Sequence, residues 1–319
     1  MKTSPISGRA TSDRPTRSRA ATEETSGARR DRARPTAPEP LPHPVVDTHC
    51  HLDIADGDWL NTRTAIRAAT DVGVTRIVQI GCDLPGARWA VEAAREHGAL
   101  IAGVALHPNE APRHAAAGDL EEALAEIEQL AQAHDKVRVI GETGLDHFRH
   151  AQSGTGDEGW AAQEESFRRH IDLAKRLDKT LVIHDRDAHD DVLRILDEEG
   201  APDRWVMHCF SGDEVFARRC LDRGAHLSFA GPVTFKNAPG LRRALAVTPV
   251  DRILVETDAP YLTPAPYRGR PNASYLMPYT VRAMAEVRGV DLTTLCVAMD
   301  ANADKVFGGQ WGPRTARQG

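Results

Sequence analysis

Between residues 44 and 258 the chain alternates between two hydrophobic patterns. Short runs rich in Val, Ile and Leu occupy 45–49, 76–80, 100–106, 137–141, 180–184, 205–208, 226–230 and 253–257. Such near-continuous apolar runs suit strands of a parallel sheet covered on both faces. The gaps between them carry apolar residues every third or fourth position, which predicts helices over 59–72, 87–97, 120–134, 160–177, 187–199, 213–223, 238–247 and 278–288. Eight strands alternating with helices predict an α/β protein whose parallel sheet closes into a single (β/α)8 TIM-type barrel. A doubly wound open sheet fits less well. No Gly-rich dinucleotide turn follows the first run, and residues with ligand chemistry recur at the ends of too many runs.

Those run ends carry the chemistry. In Pro44-Val45-Val46-Asp47-Thr48-His49-Cys50-His51 the alternation of a strand puts Asp47, His49 and His51 on one face. Glu142, His184, His208 and Asp258 close later runs. One histidine at a strand end is usually a hydrogen-bonded structural residue. Four imidazoles and two carboxylates converging on one barrel face instead suggest an open, catalytic divalent-metal centre, since a folding-only zinc site favours a closed, Cys-rich local cluster. His49 and His51 can share one ion that Asp258 completes. His184 and His208 can hold a second, and the two oxygens of Glu142 can bridge the pair. Asp47 is placed to orient a ligand from behind. The same alternation turns Cys50 and Cys209 away, into the core.

Composition adds boundaries. The 319 residues are 41% hydrophobic and 5% aromatic, enough for a large aliphatic core, and the net charge of −6 excludes a nucleic-acid clamp over the whole surface. Five scattered cysteines without a CxxC pair favour a reducing, cytoplasmic setting. No apolar stretch has the length of a membrane span, and the N-terminus lacks the apolar core of a signal peptide. Residues 1–40 are rich in Ser, Thr, Pro, Ala and Arg, with nine Lys+Arg against five Asp+Glu, so they read as a disordered basic extension whose removal leaves hydrolysis nearly unchanged. The folded unit is expected over 44–308, with a frayed end at 309–319.

Six ordered motifs make the reading more specific. They are Asp47-Thr48-His49-Cys50-His51-Leu52-Asp53, Leu106-His107-Pro108, Gly141-Glu142-Thr143-Gly144-Leu145-Asp146, Ile183-His184-Asp185-Arg186, His208-Cys209-Phe210-Ser211-Gly212 and Glu256-Thr257-Asp258-Ala259-Pro260-Tyr261-Leu262. Together they resemble the TatD family of metal-dependent deoxyribonucleases, within the amidohydrolase-type barrels, over about residues 44–308. Other barrels of that type often bridge their ions with a carbamylated Lys; the Glu142 found here fits the TatD pattern. The resemblance implies that His49, His51, Glu142, His184, His208 and Asp258 ligate two divalent cations (Zn, Mn or Mg), with Asp258 and Glu142 catalytic. It implies a substrate-side role for His107, and DNA as partner, as single strands or 3′ ends trimmed by a 3′–5′ exonuclease. Arg186, Ser211, Lys236 and Arg268 follow strand ends and are candidate phosphate contacts, because guanidinium binds phosphate through two parallel hydrogen bonds. The chain is expected to act as a monomer without a membrane partner. The alternative is hydrolysis of a small-molecule C–N or ester bond at the same centre. His147 stands where the family often carries an aromatic residue.

Overall fold

The computed structural model describes residues 14–22, 27 and 29–312. Eight parallel strands run in sequence order around one sheet: β1 (Val45–Cys50), β2 (Val74–Gly81), β3 (Leu100–Val104), β4 (Val137–Asp146), β5 (Thr180–Arg186), β6 (Trp205–Met207), β7 (His226–Phe229) and β8 (Ile253–Val255). The seam between β8 and β1 closes at its C-terminal end. There the Asp258 N–H donates to His49 O at 2.9 Å and the His51 N–H to Ala259 O at 2.7 Å. Thr48 Oγ1 adds a bond to Val255 O at 2.9 Å. The result is the expected (β/α)8 barrel.

Alternation within each strand splits the core in two. Val46, Val78, Ile80, Ile101, Val139, Val182, Val206 and Leu254 fill the interior, while Ile77, Leu100, Leu181, Trp205, Leu227 and Ile253 face the surrounding helices. The expected helices are present as α1 (Thr62–Asp71), α2 (Leu84–Glu96), α4 (Leu120–Gln132), α6 (Gly156–Arg176), α7 (His189–Glu199), α8 (Glu214–Leu221), α9 (Pro239–Val247) and α10 (Met277–Arg288). Carboxylate and amide N-caps set several starts: Asn61, Asp83 and Asp213 each accept from main-chain N–H groups of the first turn. No helix among the described residues is long and apolar enough to cross a membrane.

Three helices lie outside the expected set: α3 (Ala111–Ala117), α5 (His147–Ser153) and α11 (Leu292–Val306). The third closes the bottom of the barrel. Its Val306, with Phe307 and Trp311, joins the interior cluster. Asn302 donates to Ile253 O at 2.9 Å, and Arg76 pairs with Asp300 and Asp304 beneath the Trp311 ring. Trp311 also donates to Ala99 O at 3.1 Å, so this one residue of the stretch expected to fray is packed while Gly309, Gln310 and Gly312 are exposed, and 313–319 lie outside the described residues.

The N-terminal stretch also differs from expectation where it is described. Residues 17–18 form a two-residue parallel pairing with residues 54–55, just after β1. The Trp89 indole donates to Arg14 O at 2.9 Å, and the Tyr275 hydroxyl to Pro35 O at 2.6 Å. Arg30 is buried, with its Nη1 and Nη2 at 3.0 and 2.6 Å from the two oxygens of Asp56. What holds this segment is main-chain pairing and ion pairs, which a reading of hydrophobic content does not register. For residues 1–13, 23–26 and 28 the expectation of disorder lies outside the described residues.

A buried histidine on α6 links the fold to pH. His170 Nδ1 donates to Ser166 O at 2.6 Å and its Nε2 accepts the Leu106 N–H at 3.2 Å, an acceptance that requires the neutral ring. Burial lowers its pKa to about 4. The folded protein therefore binds fewer protons here than the unfolded chain between about 6.5 and 4. This stabilising contribution is complete above the unfolded value and is lost as pH falls through that window, to a total on the order of 3 kcal/mol. We expect the urea midpoint of the His170→Gln variant to depend less steeply on pH between 6.5 and 4 than that of the wild type. Equal slopes would remove His170 as the cause.

Candidate metal centre

Most candidate ligands sit where a strand ends or just beyond. β1 delivers His49 near its end and His51 follows it immediately; β5 delivers His184. His208 follows β6 directly and Asp258 lies three residues past β8, whereas Glu142 falls in the middle of β4, which continues to Asp146 instead of ending there. Asp258 has a left-handed backbone (φ 52°), a conformation that Asp tolerates better than most residues, and this turns its carboxylate out of the line of β8. Cys209, beside His208, is likewise left-handed (φ 42°) and only half-buried, so strand alternation no longer governs it; Cys50 is fully buried as expected.

All six side chains meet. Glu142 Oε2 lies 3.5 Å from His49 Nε2 and 3.9 Å from His51 Nε2, and Asp258 Oδ1 lies 3.3 Å from His51 Nε2. Glu142 Oε1 faces the other way, 2.7 Å from His184 Nδ1 and 3.0 Å from His208 Nε2. The two carboxylate oxygens thus face two sets of imidazole nitrogens, whose His49 and His208 rings stack at 3.8 Å between centroids. Outer contacts hold the rings: His51 Nδ1 lies 3.0 Å from Ile80 O, and His208 Nδ1 lies 2.9 Å from Glu256 Oε1. Such outer partners fix which ring nitrogen faces a metal. Asp47 behaves differently from expectation. It accepts from Thr257 N–H at 2.9 Å and Thr257 Oγ1 at 2.6 Å, so it ties β1 to the end of β8 rather than steadying a ligand ring.

The donor set calls for positive charge. Burial by itself would raise Glu142, yet His208, His107 and the hydrogen bonds of His107 and His184 hold it well below the usual carboxylate range. Burial would lower His184, but its bonds to Asp146 and Glu142 raise it to about 9. His208 is likewise pushed up against its burial by Glu256 and Glu142. His49 Nε2 and His51 Nε2 meanwhile sit 3.2 Å apart, and His49 Nδ1 is buried without a partner. Nitrogen and oxygen donors at this spacing fit divalent cations such as Zn²⁺ or Mn²⁺. Three triads can each hold one ion: His49, His51 and Glu142; His49, His208 and Asp258; and His107, Glu142 and His184.

The family model described as TatD related DNase matches residues 46–308. The chain belongs to the TatD family. The "uncharacterized metal-dependent hydrolase TatD" of Mycobacterium tuberculosis is 43% identical over 268 residues, covering 84% of this chain and 99% of the relative. The "uncharacterized metal-dependent hydrolase YabD" of Bacillus subtilis is 38% identical, covering 82% of this chain and 98% of that protein. Among solved structures, the TatD homologue YJJV of Escherichia coli superposes with a TM-score of 0.75 at 26% identity, over 83% of this chain and 98% of that one. Like its TatD relatives, the chain is a metal-dependent hydrolase.

The remaining candidates lie around the TatD centre. His107 Nε2 reaches to 3.5 Å from Glu142 Oε1, closer in than a residue serving substrate alone. Arg186 lays its guanidinium over the Phe148 ring at 3.8 Å, and Arg268 covers Phe235 at 4.5 Å. Lys236 and Ser211 are exposed beyond β7 and β6. His147 turns away and stacks on Trp160 at 4.1 Å, leaving its neighbour Phe148 as the aromatic residue at Arg186. Sequence reasoning missed three contributors. Cys82, after β2, donates to Glu142 Oε2 at 3.3 Å. Asp146 bonds His184 through Oδ2 (3.2 Å) and caps α5 through Oδ1. Glu256 braces His208. The last two lay within quoted motifs, but only the three-dimensional pairing reveals their roles.

Proposed function

We propose that this chain hydrolyses DNA phosphodiester bonds at a pair of divalent cations, removing nucleotides from 3′ ends. The observation that carries the proposal is the split of Glu142, whose two oxygens face two imidazole nests as a bridging carboxylate does in two-cation hydrolases. His49, His51 and Asp258 would hold one cation and His184 with His208 the other. When bound, the pair supplies Lewis acidity for a phosphoryl oxygen and makes water acidic enough to be deprotonated near neutral pH. Asp258, whose side chain remains 15% exposed at the opening, accepts the proton of the attacking water on its carboxylate. His107 faces the incoming group from the β3 side. The Arg186–Phe148 and Arg268–Phe235 pairs offer a guanidinium for backbone phosphate beside a ring on which a base can stack. The description of the matching family model, TatD related DNase, supports the same reading.

With Mn²⁺ or Mg²⁺, a 5′-labelled single-stranded oligonucleotide should shorten from its 3′ end in a ladder that EDTA abolishes. Absence of any ladder, with turnover of a small amide or lactone instead, would transfer the centre to C–N or ester hydrolysis.

A further inference from the structure

The segment ahead of β1 lies outside the stretch matched by the TatD family model, which begins at residue 46. Its described residues run beside the metal centre. Residues 17–18 pair with residues 54–55, three positions beyond the ligand His51. Thr16 Oγ1 donates to Asp53 Oδ2 at 2.7 Å, and the Arg19 N–H to Ala55 O at 2.8 Å. The Arg19 guanidinium lies over the Tyr261 ring at 4.8 Å, and that ring stands edge-on to His51 at 6.2 Å. Arg17 reaches Asp83 at 3.2 Å, next to the Cys82 that contacts Glu142.

Two properties show what such a strap can do. It is anchored rather than poised to leave, because Arg30 is engaged by both oxygens of a fully buried Asp56 and also donates to Gly269 O at 3.2 Å. It also carries excess positive charge. Residues 14–22 and 29–34 contain seven arginines and one acidic residue. Around Asp56, Arg30 is joined by Arg19 at 3.3 Å and Arg32 at 3.7 Å, so three guanidiniums meet one carboxylate. The outer charges remain accessible: the side chains of Arg17, Arg19 and Arg32 are 41%, 27% and 39% exposed. Among the described residues, the strap's polar side-chain contacts go to Asp53, Asp56 and Asp83, to the Tyr261 ring and to main-chain oxygens, and to none of the six ligand side chains. Arg19 on Tyr261 instead repeats, on the β8–β1 side, the arginine-on-aromatic pairing of Arg186 with Phe148 and Arg268 with Phe235.

We infer that the N-terminal strap is a fixed part of the substrate surface, in which Arg17, Arg19 and Arg32 bind the phosphodiester backbone of a single nucleic-acid strand entering the metal centre. The substrate class rests on the phosphodiesterase reading, whereas the subsite belongs to the strap. A polyanion held this way releases counterions, so affinity falls with salt in proportion to the phosphates contacted, with a slope of about 0.7 per contact for single strands.

The test uses the full chain and a fluorescein-labelled single-stranded oligonucleotide, with binding followed by anisotropy in EDTA across a salt series. The Arg17→Ala, Arg19→Ala, Arg32→Ala triple variant should bind about tenfold or more weakly, with a salt slope shallower by about two. The corresponding triple Lys variant, which keeps the charge, should restore most of the slope. Thermal midpoints check that each variant is folded. Wild-type affinity and slope in the Ala variant would overturn the inference, as would an Ala-like slope in the Lys variant. Cleavage in Mn²⁺ is scored separately. A wild type that binds through the strap but cleaves no oligonucleotide ends the nuclease reading and keeps the subsite. A wild type that cleaves while the Ala variant binds as tightly ends the subsite alone.

Discussion

Glu142→Gln should lose about a thousandfold or more in metal-dependent turnover while the barrel stays folded. Removing one preorganised electrostatic group from an active site commonly costs 10²–10³ in rate, roughly 3–4 kcal/mol. Here one carboxylate touches both nests, so its loss affects two cation positions together. Gln keeps the shape and can still accept from Cys82 or His184, but it cannot bridge two ions as an anion. Elemental analysis of the purified variant should show the loss of bound divalent metal, and far-UV circular dichroism should match the wild type. Wild-type rate with wild-type metal content would end the bridging assignment. A fully active variant with reduced metal content would mean that one nest suffices for catalysis.

The second large effect concerns stability. Arg30→Ala should destabilise the fold by about 2–3 kcal/mol. Breaking a buried ion pair by deleting one partner typically costs about 3–5 kcal/mol, because the other charge is left desolvated. Asp56 would still have Arg19 at 3.3 Å and Arg32 at 3.7 Å, which is why the expected loss falls below that range. Urea denaturation measures it, with Arg32→Ala as the comparison. That residue is 39% exposed and its pair with Asp56 is long, so its removal should change stability by less than about 0.5 kcal/mol. If Arg30→Ala shifts the midpoint no more than Arg32→Ala does, the strap is not anchored through Asp56. Removing residues 1–40, expected from composition to leave hydrolysis nearly unchanged, would also strip Asp53 and Asp56 of their strap partners Thr16 and Arg30.

How much the sequence disclosed depended on the kind of force involved. The barrel was legible because parallel strands buried on both faces must be apolar throughout, and the candidate ligands were legible because each interrupts such a run at its end. His49 and His51 needed only period-two alternation to be placed together. Helix α11 was missed although Leu295, Cys296, Met299, Ala303 and Val306 form a buried stripe at helical spacing; it comes after eight strand–helix repeats are complete, and Asp300, Asn302 and Asp304 interrupt its last turns to serve strand starts and Arg76. The strap was hidden for a different reason: seven arginines and little apolar surface look like a solvated tail until Asp56, Tyr261 and the edge at residues 54–55 are brought to them. Cys82 gave no signal, because a cysteine after an apolar strand reads as core wherever it falls. Composition and periodicity capture what hydrophobic burial organises; they miss contacts that join polar groups distant in sequence.

The floor formed by Val306, Phe307 and Trp311 lies under a barrel interior already filled by Val46, Val78, Ile80, Ile101, Val139, Val182, Val206 and Leu254. A barrel packed in this way is a pedestal and not a tunnel. Whatever the metal centre turns over arrives and departs on the one face where the strands end.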